Sequence, residues 1–142
     1  MMKRILKVLG LLTVLFLVFS CEEDLFFDDP RENLTGEWIV DEDSELFRKK
    51  SMNRIYNVNI SKDMFDSTAF YVDGFYELEG KVKVIMDNMN LTIPEQTING
   101  YTLQQGSGSI SSDYSEMTFY YYVSFTGERD VVSARYTRPD VR

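Results

Sequence analysis

The amino-acid sequence predicts an all-β fold, an antiparallel meander of about eight to nine short strands, closed into a small barrel or, as the alternative, packed as a β-sandwich. Three observations carry this expectation. Beyond residue 21 the chain is rich in aromatic and β-branched residues, which suit a pleated, half-buried surface. Turn signals recur roughly every eight to twelve residues. No segment there shows the apolar period of a long helix.

Gly36-Glu37-Trp38-Ile39-Val40 opens the first strand. Residues 43–53 are polar, carry the basic run Arg48-Lys49-Lys50, and read as a loop or one short helix. From Ile55 to Ser61, Tyr56, Val58 and Ile60 alternate with Asn57 and Asn59, the period of two that marks a strand with one wet face. Lys62-Asp63 and Asp66-Ser67 punctuate the next turn, and Thr68 to Val72 is a strand ended by Asp73-Gly74. Phe75 to Leu78 and Lys81 to Met86 follow as strands, separated at Gly80, with Val82, Val84 and Met86 opposite Lys81 and Lys83. Asp87-Asn88 turns the chain into Asn90 to Ile93, which stops at Pro94; Thr97 to Gln104 and Gly108 to Ser111 come next. Glu116 to Phe125 alternates most regularly: Met117, Phe119, Tyr121, Val123 and Phe125 line one face, Thr118, Tyr120, Tyr122 and Ser124 the other. Gly127-Glu128 turns it, and Val131 to Thr137 closes the domain with Val132, Ala134 and Tyr136 on one side.

The amino terminus reads differently. Lys3, Arg4 and Lys7 precede a nearly unbroken apolar run from Val8 to Phe19, then small Ser20 and Cys21. This is the layout of a secretory signal peptide, and the apolar run is short for a spanning helix of ~20 residues. Val18-Phe19-Ser20-Cys21 resembles a lipobox, the motif cut by lipoprotein signal peptidase. The resemblance implies cleavage before Cys21 and a diacylglycerol on its sulfur, so that the chain's membrane partner is reached through acyl chains that hold it essentially permanently. Glu22-Glu23-Asp24 just after the cysteine resembles the surface-export signal of Bacteroidota lipoproteins. The expected organisation is a signal peptide over residues 1–20, a lipidated acidic tether over 21–33, a barrel domain over 34–138 and a tail over 139–142. The expected location is the outer membrane, facing the cell surface or, as the alternative, the periplasm.

Charge and composition narrow the chemistry. The 142 residues carry 15 basic and 23 acidic side chains. Lys3, Arg4 and Lys7 are the only charges in the first twenty residues, which leaves 12 bases against 23 acids and a net charge of −11 beyond them. Such a surface repels phosphate backbones, so nucleic acid is not an expected partner. The chain has one cysteine and no histidine. A disulfide within the chain, a Ser–His–Asp triad, Cys–His catalysis and the usual zinc sites are therefore excluded. No cofactor is implied, and the chain is expected not to be an enzyme.

Asn33-Leu34-Thr35-Gly36-Glu37-Trp38 resembles the Gly-x-Trp opening of lipocalin-like barrels. Leu91 to Gly100 and Gly106 to Asp113, the latter followed by the aromatic strand, are similar to stretches of uncharacterised calycin-like Bacteroidota lipoproteins. The resemblance implies a small lipocalin-like barrel in which Trp38 covers one end. Tyr120 and Tyr122 are the candidate ligand contacts, with Trp38, because a tyrosine offers a flat ring and a hydroxyl at low entropic cost. A small apolar or glycan ligand is expected, or support of a surface protein complex with the barrel filled by its own side chains. The acids at 41–43, 63, 66, 73, 77, 79 and 116 single out no catalytic pair at the ~5–9.5 Å that a glycosidase needs. Asp87-Asn88-Met89-Asn90 reads as a turn rather than a calcium loop. Asp66-Ser67-Thr68 resembles a short Bacteroidota O-glycosylation motif, and Arg48-Lys49-Lys50 reads as a solvated loop or a partner contact.

Overall fold

In the computed structural model, which describes residues 28–139, the alternating segments become ten antiparallel strands. They are β1 (Gly36–Ser44), β2 (Arg54–Lys62), β3 (Ala69–Asp73), β4 (Lys81–Asp87), β5 (Asn90–Ile93), β6 (Gln96–Ile98), β7 (Tyr101–Leu103), β8 (Gly106–Ile110), β9 (Glu116–Phe125) and β10 (Glu128–Thr137). The expected signal peptide, Cys21, the acidic run after it and residues 140–142 of the expected tail lie outside the described residues.

Eight strands follow one another in the order β10-β1-β2-β3-β4-β5-β8-β9, and β9 pairs back onto β10. The sheet therefore closes on itself, as a lipocalin-like barrel does, and the sandwich alternative falls. The remaining two strands form an outer hairpin, with β7 on β9 and β6 on β7. Closure leaves the eight barrel strands without an unpaired edge.

The inner face grades from apolar to polar along the barrel. On β1 the inward residues run Trp38, Val40, Glu42, Ser44. On β10 they run Tyr136, Ala134, Val132, Asp130 in the opposite chain direction. The apolar end is closed by a 3-10 turn over Pro30–Leu34, whose Leu34 is fully buried. The Trp38 indole N–H donates to the Leu34 carbonyl at 2.7 Å, and the Arg138 guanidinium lies 4.1 Å from the centre of its ring. Residues 30–33 were expected in the tether; here they dock, because Arg31 is buried and bonds the β2–β3 loop.

Three expectations need correction. Phe75–Glu77 is a 3-10 turn, not part of a strand. It starts after Gly74 at φ 92°, and Tyr76 and Glu77 stand at φ 55° and 57°, left-handed values no strand uses. This bend folds the β3–β4 connection into the barrel mouth, where Phe75 becomes fully buried. Thr97 to Gln104 is not one strand but the β6–β7 hairpin. Asn99 and Gly100, at φ 49° and 81°, form its turn, the Asn-Gly signature of a two-residue hairpin. The last turn sits at Thr126-Gly127 (φ 49° and 80°), one residue earlier than Gly127-Glu128, so the final strand begins at Glu128. The helix allowed for within 43–53 is one turn, α1 (Glu45–Arg48), capped by the Ser44 hydroxyl.

Candidate functional site

The two-faced pattern of β9 places its tyrosines on opposite sides of the wall. Tyr121 points inward and is 2% exposed, whereas Tyr120 is 61% and Tyr122 37% exposed on the outer face. Cross-strand pairing sets Thr92 of β5 beside Ser107 of β8, Ser107 beside Tyr120, and Tyr122 beside Val131 of β10. Together with Gln105 these side chains line an open groove of about 400 Å³ on the outside of the barrel. Gly106 lets the walls approach: a Cβ there would lie 2.8 Å from the Tyr120 carbonyl oxygen and from Tyr121 Cβ. The Arg129 guanidinium stacks 3.9 Å from the centre of the Tyr122 ring and steadies it by a cation–π contact. The groove thus offers two flat rings beside amide and hydroxyl groups.

Trp38, the third candidate contact, takes the end-covering place that the resemblance implies. It is fully buried against Leu34 and presents no surface to solvent.

The barrel mouth is closed from within. Glu42 and Arg54 face each other inside, Nη1 to Oε1 at 3.2 Å. Those two atoms are close enough to attract as charges yet are not aligned for a hydrogen bond. The other Glu42 oxygen accepts from the Tyr121 hydroxyl at 2.9 Å and from the Tyr56 hydroxyl. Arg54 Nη2 donates to the Tyr76 carbonyl and to Glu77 Oε2, both at 2.9 Å. Its guanidinium lies against both the Phe47 and Tyr76 rings, 4.2 and 4.4 Å from their centres. Asp130, 3% exposed, accepts from the Tyr76 hydroxyl at 2.6 Å, the Leu46 backbone N–H at 3.0 Å and the Ser44 hydroxyl. The carboxylate is therefore committed to holding the mouth shut. Outside this closure lies a smaller concavity of about 210 Å³, lined by Phe47, Tyr76 and the stacked Tyr101 and Phe125 rings, 4.2 Å apart.

Burial raises the Glu42 carboxyl above the usual glutamate range, against the Tyr56 hydroxyl, Arg54 and the Tyr121 hydroxyl, which favour its charged form. Burial likewise drives the Tyr121 and Tyr136 hydroxyls well above the ordinary tyrosine value. Among the described residues no group of three or more His, Cys, Asp or Glu side chains could hold a metal ion. Asp87 pairs with Asn90 across a hairpin turn, as read from sequence. Arg48 is engaged by Asp43 at 2.8 Å, and the Thr68 hydroxyl by Asp66 at 2.6 Å.

Sequence reasoning missed Arg129, Asp130 and the Glu42–Arg54 pair. The signal for the first two was the hairpin turn: placed at Thr126-Gly127, it sets Val123 opposite Asp130 and Tyr122 opposite Val131. The signal for Glu42 was phase. Extending β1 past Val40 carries the inward alternation of Trp38 and Val40 onto Glu42.

A folded-state carboxyl raised by burial keeps its proton after the unfolded chain has released it, so stability falls as pH rises above about 4.3. The wild-type chain is expected to lose stability relative to Glu42→Gln between about pH 4 and pH 8, read as the difference in urea midpoints. A difference that stays constant, or grows in favour of the wild type, contradicts the raised carboxyl. Compared with known proteins, the chain matches no protein family and no curated protein.

Proposed function

We propose that the chain is a non-catalytic lipoprotein of the Bacteroidota type, held to the outer membrane by acyl chains on Cys21 and displayed at the cell surface. In this reading the outer face of its lipocalin-like barrel binds a glycan at Tyr120 and Tyr122. The observation that carries the reading is the contrast between the two sides of β9. Inside, Tyr121 is packed under the Phe75–Tyr76 turn and bonded to Glu42. Outside, Tyr120 stays 61% exposed in an open groove. A saccharide presents apolar C–H faces that stack on tyrosine rings and hydroxyls that pair with side chains such as Gln105, Ser107 and Thr92. The hydroxyl and amide groups among the lining side chains have partners in a glycan and none in a purely apolar ligand. Glu42 and Asp130 are both occupied by neighbouring donors, which supports binding rather than carboxylate-dependent hydrolysis.

The filled interior also favours a second reading, a structural lipoprotein whose exposed Val131, in the groove, and Phe125, in the smaller concavity, contact a surface protein complex.

Titration calorimetry of residues 21–142 with neutral oligosaccharides, first selected on a glycan array, separates the two. Tyr120→Ala and Tyr122→Ala are each expected to weaken binding about tenfold, the equivalent of about 1.4 kcal/mol, while the variants still unfold in one cooperative transition. Capture of no oligosaccharide, or equal affinity in parent and variants, overturns the glycan reading. The anchor has its own test. Growing the native host with an alkyne-tagged palmitate is expected to label the protein, and Cys21→Ala to abolish the label and release the chain from the membrane fraction. An unlabelled protein that begins at Met1 overturns the anchor.

A further inference from the structure

The loop between β2 and β3 presents two large apolar side chains to water: Met64 is 86% and Phe65 100% exposed. The loop beneath them is ordered by polar contacts. Asp63 Oδ1 accepts from the backbone N–H groups of Phe65 and Asp66 at 2.8 and 3.2 Å. Asp66 accepts from the Thr68 backbone N–H at 2.9 Å and from its hydroxyl. Lys83 on β4 lies 3.6 Å from Asp63 and 3.2 Å from Asp66. Arg31 reaches in from the 3-10 turn and donates to the Asp63, Asp66 and Ala69 carbonyls at 2.9, 2.8 and 2.7 Å. An apolar pair held outward by so many polar ties is a built projection.

Its place in the fold says what covers it. Arg31 and Asp29 stand where the described chain begins, so the projection and the incoming chain share the Trp38 end of the barrel. Cys21 is eight residues before Asp29, a reach of at most roughly 30 Å at ~3.6 Å per residue. The charges around this loop are also compensated. Asp29, Glu32, Asp63 and Asp66 are paired with Arg31, Lys62 and Lys83, in contrast to the strongly acidic chain as a whole. A lipid surface within tether reach meets an apolar tip on a charge-paired loop, which suits insertion at the interface between headgroups and acyl chains.

We propose that Met64 and Phe65 form a membrane-contact point that dips into the bilayer carrying the anchor and holds the barrel with its Trp38 end down. The half of β9 bearing Tyr122 then points away from the membrane, and the groove stays open to the exterior. This inference rests on the anchor reading given above.

The test supplies the tether by chemistry. Cys21 is the only cysteine, so residues 21–142 can be coupled to maleimide-headgroup lipid in phosphatidylcholine vesicles. Phe65→Trp, at a fully exposed position that does not disturb packing, reports the tip; Phe125→Trp, at the opposite end, is the control. On coupling, emission of the Phe65→Trp chain is expected to shift to the blue and to be quenched by brominated acyl chains, beyond the constant background of buried Trp38. Emission of the Phe125→Trp chain is expected to stay unshifted and open to iodide. If the added indole of the Phe65→Trp chain emits unchanged after coupling and stays fully quenched by iodide, the proposal is overturned. So it is by a blue shift in free protein that grows with protein concentration, which would assign the tip to a second copy of the chain. Because the maleimide replaces whatever the native cysteine carries, failure of the palmitate experiment and failure of this one are separate results.

Discussion

The Asp130 carboxylate sits where four parts of the chain meet. It lies on β10 and accepts from Ser44 at the end of β1, from the first turn of α1, and from Tyr76 of the 3-10 turn that fills the mouth. Hydrogen bonds to a charged group contribute about 1.5–3 kcal/mol each, so this one side chain fastens strand, helix and turn together. Arg54 completes the closure. It pairs with Glu42, bonds the Tyr76 carbonyl, and packs against the Phe47 and Tyr76 rings. A buried charge needs partners on every side, and here those partners are the elements that block the mouth.

That closure decides where a ligand can go. Small barrels fill their interior with side chains, and this one adds Phe75, driven inward against Phe119 and Tyr121. The left-handed backbone at Tyr76 and Glu77 is the cost of reversing the chain inside the opening, and burial of Phe75 and the Tyr76–Asp130 bond offset it. With the inside occupied, the recognition we propose falls to the wall. β9 serves both tasks because its side chains alternate: Phe119 and Tyr121 build the core while Tyr120 and Tyr122 stand in the groove. The proposed glycan site, on β5, β8, β9 and β10, and the proposed membrane contact, between β2 and β3, then sit on different sides of one barrel.

Much of the fold was legible in the sequence because the strands are two-sided. Alternation in Tyr56–Ile60, Val82–Met86 and Met117–Phe125 gave strand identity and facing, and the inward set predicted for β9 is the buried one up to Val123. Phe125, assigned to the same face, is 41% exposed, because the barrel ends before it and the ring stacks on Tyr101 instead. The Phe75–Leu78 segment was misread because its apolar residues are buried by a left-handed bend, which composition cannot distinguish from a strand. Period two alone put Tyr120 and Tyr122 on the face opposite Phe119; closure of the sheet makes that face the outer one. The charged closure did not. Glu42, Arg54 and Asp130 lie far apart in sequence, and only the closing pairs β1–β2 and β10–β1 bring them to one end of the barrel.

The account stands on one division of neighbouring residues, Tyr121 sealed inside and Tyr120 and Tyr122 outside. Solution NMR of the chain with ¹³C-labelled tyrosine, recorded with and without a water-soluble gadolinium chelate, reads that division directly. The ring signals of Tyr120 and Tyr122 are predicted to be bleached while those of Tyr121 and Tyr136 persist. Bleaching of Tyr121 and Tyr136 would mean an interior open to solvent and would contradict the closed barrel.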